Sequence, residues 1–355
     1  MSVDTTGYDK PSLKRAGSPR RKAVEVSRHA LITSEVLPTG KGAPLLIRPG
    51  VEDVNLVEWA ADNQEFIEAN LRRHGALLFR DFDVASATEF EEFVRAAAGE
   101  LLTYHDQTSP RHEIGGRVYT STDYPAGEEI FLHNESSYAA VWPLRIFFFC
   151  MTPAERGGET PIADVRGVFA SVEPRVRERF ERQGWMLVRN FGGGLGLPWQ
   201  TVFQTEDRAE VEDYCRGAGI EFEWREGGRL RTRQVRPAVA THPETGEPVW
   251  FNHAVFFHLS TLKESIRESL ASQFREEDLP YQTYYGDGSP IEASTVESVR
   301  QAYRDATVVF PWRKRDILML DNMLMAHGRR PFEGPREVLV GMARPYGGAR
   351  ASHND

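Results

Sequence analysis

The segment FLHNESSY (Phe131–Tyr138) carries a histidine, an asparagine and a glutamate in succession. The segment LDNMLMAHGRRPFEGPREVLVGMA (Leu320–Ala343) supplies a second histidine, His327, and then Arg336. Each sits at the edge of a short apolar run, and similar runs fill the chain around them. RVYTSTDY, EIFLHNE, LRIFFFCM, TPIADV, WMLVRNF, VWFNHAVFF, DILMLDN and REVLVGMA all have the length and residue types of strands. Turns rich in Gly and Pro, such as PAERGGETP, GGGLGLPW and HPETGEP, separate them. Many short strands with a few inserted helices predict a mainly β fold with flanking helices (α+β), built on a jelly-roll pair of sheets.

Upstream the pattern changes. VNLVEWAADNQEFIEANLRRHG (Val54–Gly75) reads as one amphipathic helix ended by Gly75. GALLFRDF (Gly75–Phe82) reads as a strand. In SATEFEEFVRAAAG (Ser86–Gly99), Ser86 and Glu89 form a capping-box pattern at the start of a second helix. Such an opening braces a larger sheet. Residues 1 to about 43 are polar, with Lys14, Arg15, Arg20, Arg21, Lys22 and Arg28, and read as a flexible arm. Residues 44–355 are expected to form a single domain with helical insertions at about 165–235 and 261–307.

With 355 residues, 40% of them hydrophobic, the chain can bury a sizeable core. The net charge of −9 argues against a nucleic-acid binder. Two cysteines, Cys150 and Cys215, are too few for a disulfide framework or a zinc ribbon. Cys150, in IFFFC, reads as a small buried hydrophobe. No apolar stretch is long enough to span a membrane and the N-terminus lacks an apolar signal core, so the cytoplasm is expected.

The two histidine segments carry the chemistry. His133 and Glu135 are two positions apart at the end of a strand candidate, so both side chains could point to one face and reach one metal. His327 would arrive from a distant strand end. Two imidazoles and one carboxylate fill one face of an octahedral metal and leave three positions open, which is the donor set of non-heme Fe(II) oxygenases. Asp321 and Asn322, just before His327, are placed to orient loops or ligands around it. A second triplet, His242-Pro243-Glu244, is set aside because THPETGEPVW reads as a solvent-exposed hairpin turn. His105, His112, His253 and His258 have no assigned role, although His253 and His258 flank a Phe-rich stretch that could line a pocket. Arg336 opens an apolar strand, where a charge is costly unless it meets an anion. Its planar fork suits a carboxylate; a surface ion pair with Glu337 is the plain alternative.

These residues resemble the TauD/TfdA family of Fe(II)/2-oxoglutarate-dependent dioxygenases, in the branch of SyrP-like amino-acid hydroxylases. The resemblance runs from about Gly75 to Ala343, through HNESSY, WPLRIFFFCMTPAERGGETPIADVR, FQTEDRAEVEDYC, GDGSPI and LDNMLMAHGRRPFEGPR in order. It implies a double-stranded β-helix core, with His133, Glu135 and His327 as iron ligands. It also implies that Thr160, in GGET, and Arg336, in GPRE, bind carboxylate groups of 2-oxoglutarate. The chain departs from the commoner family triad, which has aspartate where Glu135 stands. Related halogenases have a small residue there, so a carboxylate at 135 points away from halogenation.

The implied reaction uses Fe(II), 2-oxoglutarate and O2 to hydroxylate an unactivated C–H bond of an amino acid, free or tethered to a peptidyl carrier protein, with release of succinate and CO2. Desaturation, cyclisation or epimerisation on the same iron centre is the alternative outcome, and a non-catalytic jelly-roll binding protein a further one. Gln107, Thr108, Ser137, Arg189, Asn252, Phe257 and Arg344 are the candidate substrate contacts, with Arg189 and Arg344 the cations for a substrate carboxylate. GGGLGLPW (192–199) could serve as a lid.

Overall fold

The computed structural model describes residues 31–102, 113–121, 124–192 and 196–347. Among them, eight strands form one sheet in the order Ile32–Val36, Leu45–Pro49, Ala76–Phe79, Ile317–Asp321, Val141–Thr152, Glu337–Gly347, Val118–Thr120 and Glu113–Gly115. A second sheet runs Thr307–Val308, Ile162–Asp164, Met325–Arg329 and Ile130–His133. The spine of the large sheet is the long antiparallel ladder between Val141–Thr152 and Glu337–Gly347.

The central strands read as continuous apolar runs because both faces of this sheet are covered. Side chains alternate between the faces. Leu77, Phe79, Phe147, Phe149, Ile317, Met319 and Leu339 join one core with Trp59, Ile67, Leu71, Phe90 and Phe93 of the N-terminal helices. Their neighbours Leu78, Ile146, Phe148, Leu318, Leu320, Val338 and Val340 join another core with Leu132, Ile162, Met325 and Ala326 of the second sheet. Two sheets enclosing a core, braced outside by helices, give the expected jelly roll.

The helices follow their caps. Ser86 and Glu89 form the expected capping box on Ala87–Ala98. Gly75 closes Gln64–His74 in the left-handed conformation, φ 69°. The single helix expected over Val54–Gly75 is two, Leu56–Asp62 and Gln64–His74, broken at Asn63. The short Asn63 side chain donates to the Trp59 carbonyl at 2.8 Å, offering the backbone an alternative to helical pairing.

Three other expectations change. Residues 31–43, expected within the arm, contain the strand Ile32–Val36, paired antiparallel to Leu45–Pro49. Four of its five side chains are exposed, so main-chain bonds hold it and no apolar period marks it. The basic residues Lys14–Arg28 lie outside the described residues. The 165–235 insertion is only partly helical. Trp185–Phe191, Glu221–Arg225 and Arg229–Arg236 join Tyr281–Tyr285, from the second insertion, in a separate four-stranded sheet; arginines at alternate positions of RLRTRQVR obscure its period. In VWFNHAVFF the strand is only Pro248–Trp250. The proposed lid GGGLGLPW lies partly outside the described residues; at its end Trp199 is buried and its indole donates to the Gly228 carbonyl. No described helix is long and apolar enough to cross a membrane.

Buried ion pairs lie inside this apolar frame. Arg145, in PLRIFFF, is fully buried. Its guanidinium donates to Asp321 Oδ2 at 2.7 Å, Glu68 Oε2 at 2.7 Å and Glu244 Oε1 at 2.9 Å. Asp321 is equally buried. Arg145→Ala should therefore lower the unfolding free energy by roughly 3–5 kcal/mol, by leaving a buried carboxylate without its counter-charge. Denaturant unfolding measures this, and a loss below about 1 kcal/mol would show that hydrogen bonds alone suffice for Asp321.

Candidate metal centre

The second sheet brings the two histidines together by register. His327, on Met325–Arg329, pairs directly with His133 on Ile130–His133, and their ring centroids lie 4.6 Å apart. A bulge follows between His327 and Arg329. Gly328 sits in it, and a Cβ there would come within 2.5 Å of the Ile130 carbonyl oxygen. Only glycine lets the two histidine-bearing strands approach this closely. The glycine in AHGRR is the sequence signal of this close backbone approach.

Glu135 arrives differently from the expectation. The strand ends at His133, and Glu135 lies in the turn that follows. Strand alternation therefore does not place it. Instead Asn322, fully buried, brackets its peptide groups: the Glu135 N–H donates to Asn322 Oδ1 at 2.8 Å, and Asn322 Nδ2 donates to the Glu135 carbonyl at 2.9 Å. The result is a compact set in which one ligand atom each from His133, Glu135 and His327 lie within 4.8 Å of one another. Glu135 Oε2 is 3.9 Å from His327 Nε2.

The donor chemistry suits a divalent metal. His133 Nδ1 lies 2.9 Å from the Phe131 carbonyl, which can only accept, so Nδ1 carries the proton and Nε2 keeps its lone pair. Phe256 packs on the His133 ring at 4.9 Å and Phe148 on the His327 ring at 5.0 Å, which shields the wall of the site from water. Glu135 and His327 are buried, while His133 is only half-buried. A carboxylate and two imidazoles on one side, with access on the other, could hold Fe(II) and leave exchangeable positions.

The second triplet has a different task. The hairpin Val239–Thr241 to Pro248–Trp250 forms as expected, but His242 is buried, not exposed. Its Nδ1 accepts from the Thr245 amide at 3.1 Å, so Nε2 carries the proton and lies 3.1 Å from Asp321 Oδ2. With its lone pair engaged, His242 cannot be a ligand here. Asp321 and Asn322 both support the site from behind, as the sequence suggested.

Thr160 and Arg336 flank the strand Ile162–Asp164 and the Glu337–Gly347 strand. Thr160 is buried, and its Oγ1 accepts from the Trp312 indole at 3.1 Å, which leaves its own proton to donate. Arg336 Nε donates to the Gly158 carbonyl at 2.9 Å and a terminal nitrogen to Ser121 Oγ at 3.3 Å. A Cβ at Gly158 would meet the Arg336 side chain at 3.0 Å, so glycine makes room for it. Among the described residues no carboxylate pairs with Arg336, Glu337 included. Burial and the nearby Arg329 guanidinium push the Arg336 pKa down to about 10. A cation so placed gains from a bound anion.

The candidate substrate contacts separate into groups. Ser137 Oγ lies 2.6 Å from His253 Nδ1, and His253 stacks on Phe257 at 5.1 Å and sits 5.7 Å from the His133 ring. Burial, with His133 close by, holds the His253 pKa well below its ordinary range, so this imidazole is neutral. Phe257 in turn stacks on Tyr281, and the Arg189 guanidinium lies 5.6 Å from the Tyr281 ring. Asn252 does not join them: it donates to the Ala238 carbonyl and accepts from the Ala254 amide. Arg344 pairs with Glu68 at 3.0 Å and donates to the Ala98 carbonyl. His258 caps the short turn Leu259–Thr261. Gln107, Thr108, His105 and His112 lie outside the described residues. A cavity of about 670 Å³ opens beside the ligand turn, lined by Ser136, Ala139, Trp142, Phe203, Tyr214 and Met342.

Residues 39–343 match the family described as taurine catabolism dioxygenase TauD, TfdA family. The chain is 38% identical over 312 residues to the dapdiamide synthesis protein DdaC of Enterobacter agglomerans, covering 87% of this chain and 94% of that protein. It is 29% identical over 291 residues to a clavaminate synthase-like protein of Arabidopsis thaliana, covering 79% and 85%. In fold it is similar to PvcB of Pseudomonas aeruginosa, with a TM-score of 0.55 at 16% identity over 91% of this chain and 94% of that one.

His327→Ala should abolish Fe(II) binding in anaerobic titration. His242→Ala should leave it intact while lowering the unfolding free energy by about 1–3 kcal/mol, because Asp321 and the turn amides lose a buried partner. The opposite pattern would overturn the choice of ligand triplet.

Proposed function

The chain belongs to the TauD, TfdA family, whose members are Fe(II)/2-oxoglutarate-dependent dioxygenases, and on that premise we propose that it hydroxylates an unactivated C–H bond of an amino acid in natural-product biosynthesis. It is an oxidoreductase acting on a small molecule, with Fe(II), 2-oxoglutarate and O2 as cofactor and cosubstrates. The substrate reading covers an amino acid either free or carried by a peptidyl carrier protein, and cytoplasmic placement belongs to the same proposal. The observation that carries it is the gathering of His133, Glu135 and His327 ligand atoms within 4.8 Å.

When bound, the iron with 2-oxoglutarate and O2 supplies the oxidising power: the oxo acid leaves as succinate and CO2, and one oxygen atom goes to the substrate. The chain's residues supply place and surroundings. His133, Glu135 and His327 hold the metal. The Arg336 fork and the Thr160 hydroxyl bind carboxylate oxygens of 2-oxoglutarate. Phe148, Phe256 and Phe257 keep water from the walls. The neutral Ser137–His253 pair, next to His133, offers hydrogen bonds to a polar substrate group. Glu135 supports hydroxylation over halogenation, since its carboxylate fills the position a halide would need. The relative DdaC, named for dapdiamide synthesis, supports a natural-product setting.

Two outcomes are expected. Arg336→Ala should raise the KM for 2-oxoglutarate by roughly 10- to 100-fold, the loss of a hydrogen-bonded charge pair, with little change in the KM for the organic substrate; equal dependence on the cosubstrate in both proteins would remove Arg336 from this role. Aerobic incubation of pooled amino acids with the enzyme, Fe(II), ascorbate and 2-oxoglutarate should yield one amino acid heavier by a single oxygen, matched by succinate. A product lighter by two hydrogens would replace hydroxylation with desaturation. Turnover only with a carrier-bound amino acid would assign the tethered substrate.

A further inference from the structure

We infer that Asn322 is the positioning residue for the Glu135 carboxylate, acting as a side-chain substitute for a strand partner. The inference rests on the proposed ligand set. His133 and His327 need no such device, because ladder register sets them opposite each other. Glu135 lies past the strand end, and Ser136 after it adopts a left-handed φ of 55°. Its Cα position is therefore not determined by any sheet. A glutamate has one more rotatable bond than an aspartate, so its carboxylate reaches a defined point only if its backbone is held.

Asn322 holds it on both sides of the residue. Oδ1 accepts from the Glu135 N–H and Nδ2 donates to the Glu135 carbonyl, at 2.8 and 2.9 Å, which reproduces the paired bonds of an antiparallel rung. The orientation of the amide is decided by its partners. Nδ2 also donates to the Pro143 carbonyl at 2.8 Å, so a flipped amide would set its oxygen against two carbonyl oxygens. The Asn322 main chain completes the hold: its N–H donates to the Leu144 carbonyl at 2.9 Å, and its carbonyl accepts from Asn134 Nδ2 at 2.6 Å. One buried side chain thus joins the ligand turn to the Val141–Thr152 strand, and does so from the turn that leads to the His327 strand.

The test is a double-mutant cycle read in metal affinity. Anaerobic Fe(II) titration would compare wild type, Glu135→Gln, Asn322→Ala and the double variant, each checked for folding by circular dichroism. Asn322→Ala should weaken Fe(II) binding roughly 10- to 100-fold when Glu135 is present. It should cause no further loss in the Glu135→Gln background, where no carboxylate remains to be positioned and the glutamine backbone is unchanged. The same loss in both backgrounds, or none in wild type, overturns the proposal. If Asn322→Ala does not fold, Asn134→Ala, which deletes only the 2.6 Å bond to the Asn322 carbonyl, enters the same cycle with a smaller loss expected and the same criterion. Glu135→Gln that leaves Fe(II) affinity unchanged would instead refute the ligand assignment, and this inference with it.

Discussion

The carboxylate of Asp321 is the point on which the site turns. It ends the strand Ile317–Asp321, fully buried, and it accepts from Arg145, from His242 and from the amides of Met323 and Leu324. Burying a carboxylate is tolerable only with such complete satisfaction. The bonds to Met323 and Leu324 shape the reversal that sends the chain into Met325–Arg329. They determine where Asn322 faces and where His327 emerges. The ionic cluster behind the site therefore governs the donor set in front of it, without touching a metal itself.

The fold was legible where a local rule and the tertiary demand agree. The Ser86–Glu89 capping box and the Gly75 stop each obey a nearest-neighbour logic, and each is where the sequence placed it. The cluster of His133, Glu135 and His327 that the fold gathers was legible because two imidazoles and a carboxylate bordering strand candidates are an unusual combination. What stayed hidden depends on distant partners. Arg145 sits in an apolar run with no acid near it in sequence, and only the fold identifies its buried partner as Asp321. His242 looked like turn chemistry because proline and glycine surround it, yet the hairpin folds its imidazole inward. The strand Ile32–Val36 has no apolar period to read, since four of its five side chains are exposed and its pairing with Leu45–Pro49 is through the backbone.

For the proposed ligand set, the turn gives glutamate a place that the resemblance assigns more commonly to aspartate. A short ligand needs a backbone close to the metal. A longer one tolerates a backbone set back in a turn, provided that turn is rigid. The paired bonds from Asn322 provide that rigidity here, so the residue type at 135 and the bracket at 322 are parts of one solution. The aromatic walls around both histidines complete it by lowering the local dielectric, which strengthens every polar contact inside.

The ladder between Ile130–His133 and Met325–Arg329 is short and interrupted by a bulge. Its two strands come from far apart in the chain, and closing so long a loop carries an entropic cost that few main-chain bonds offset. A metal held by His133, Glu135 and His327 would be a detachable rivet across this seam. Its arrival would tighten the mouth of the barrel as well as arm it, and its departure would loosen both together. Cellular iron supply would then set the mechanical state of the protein alongside its chemical competence.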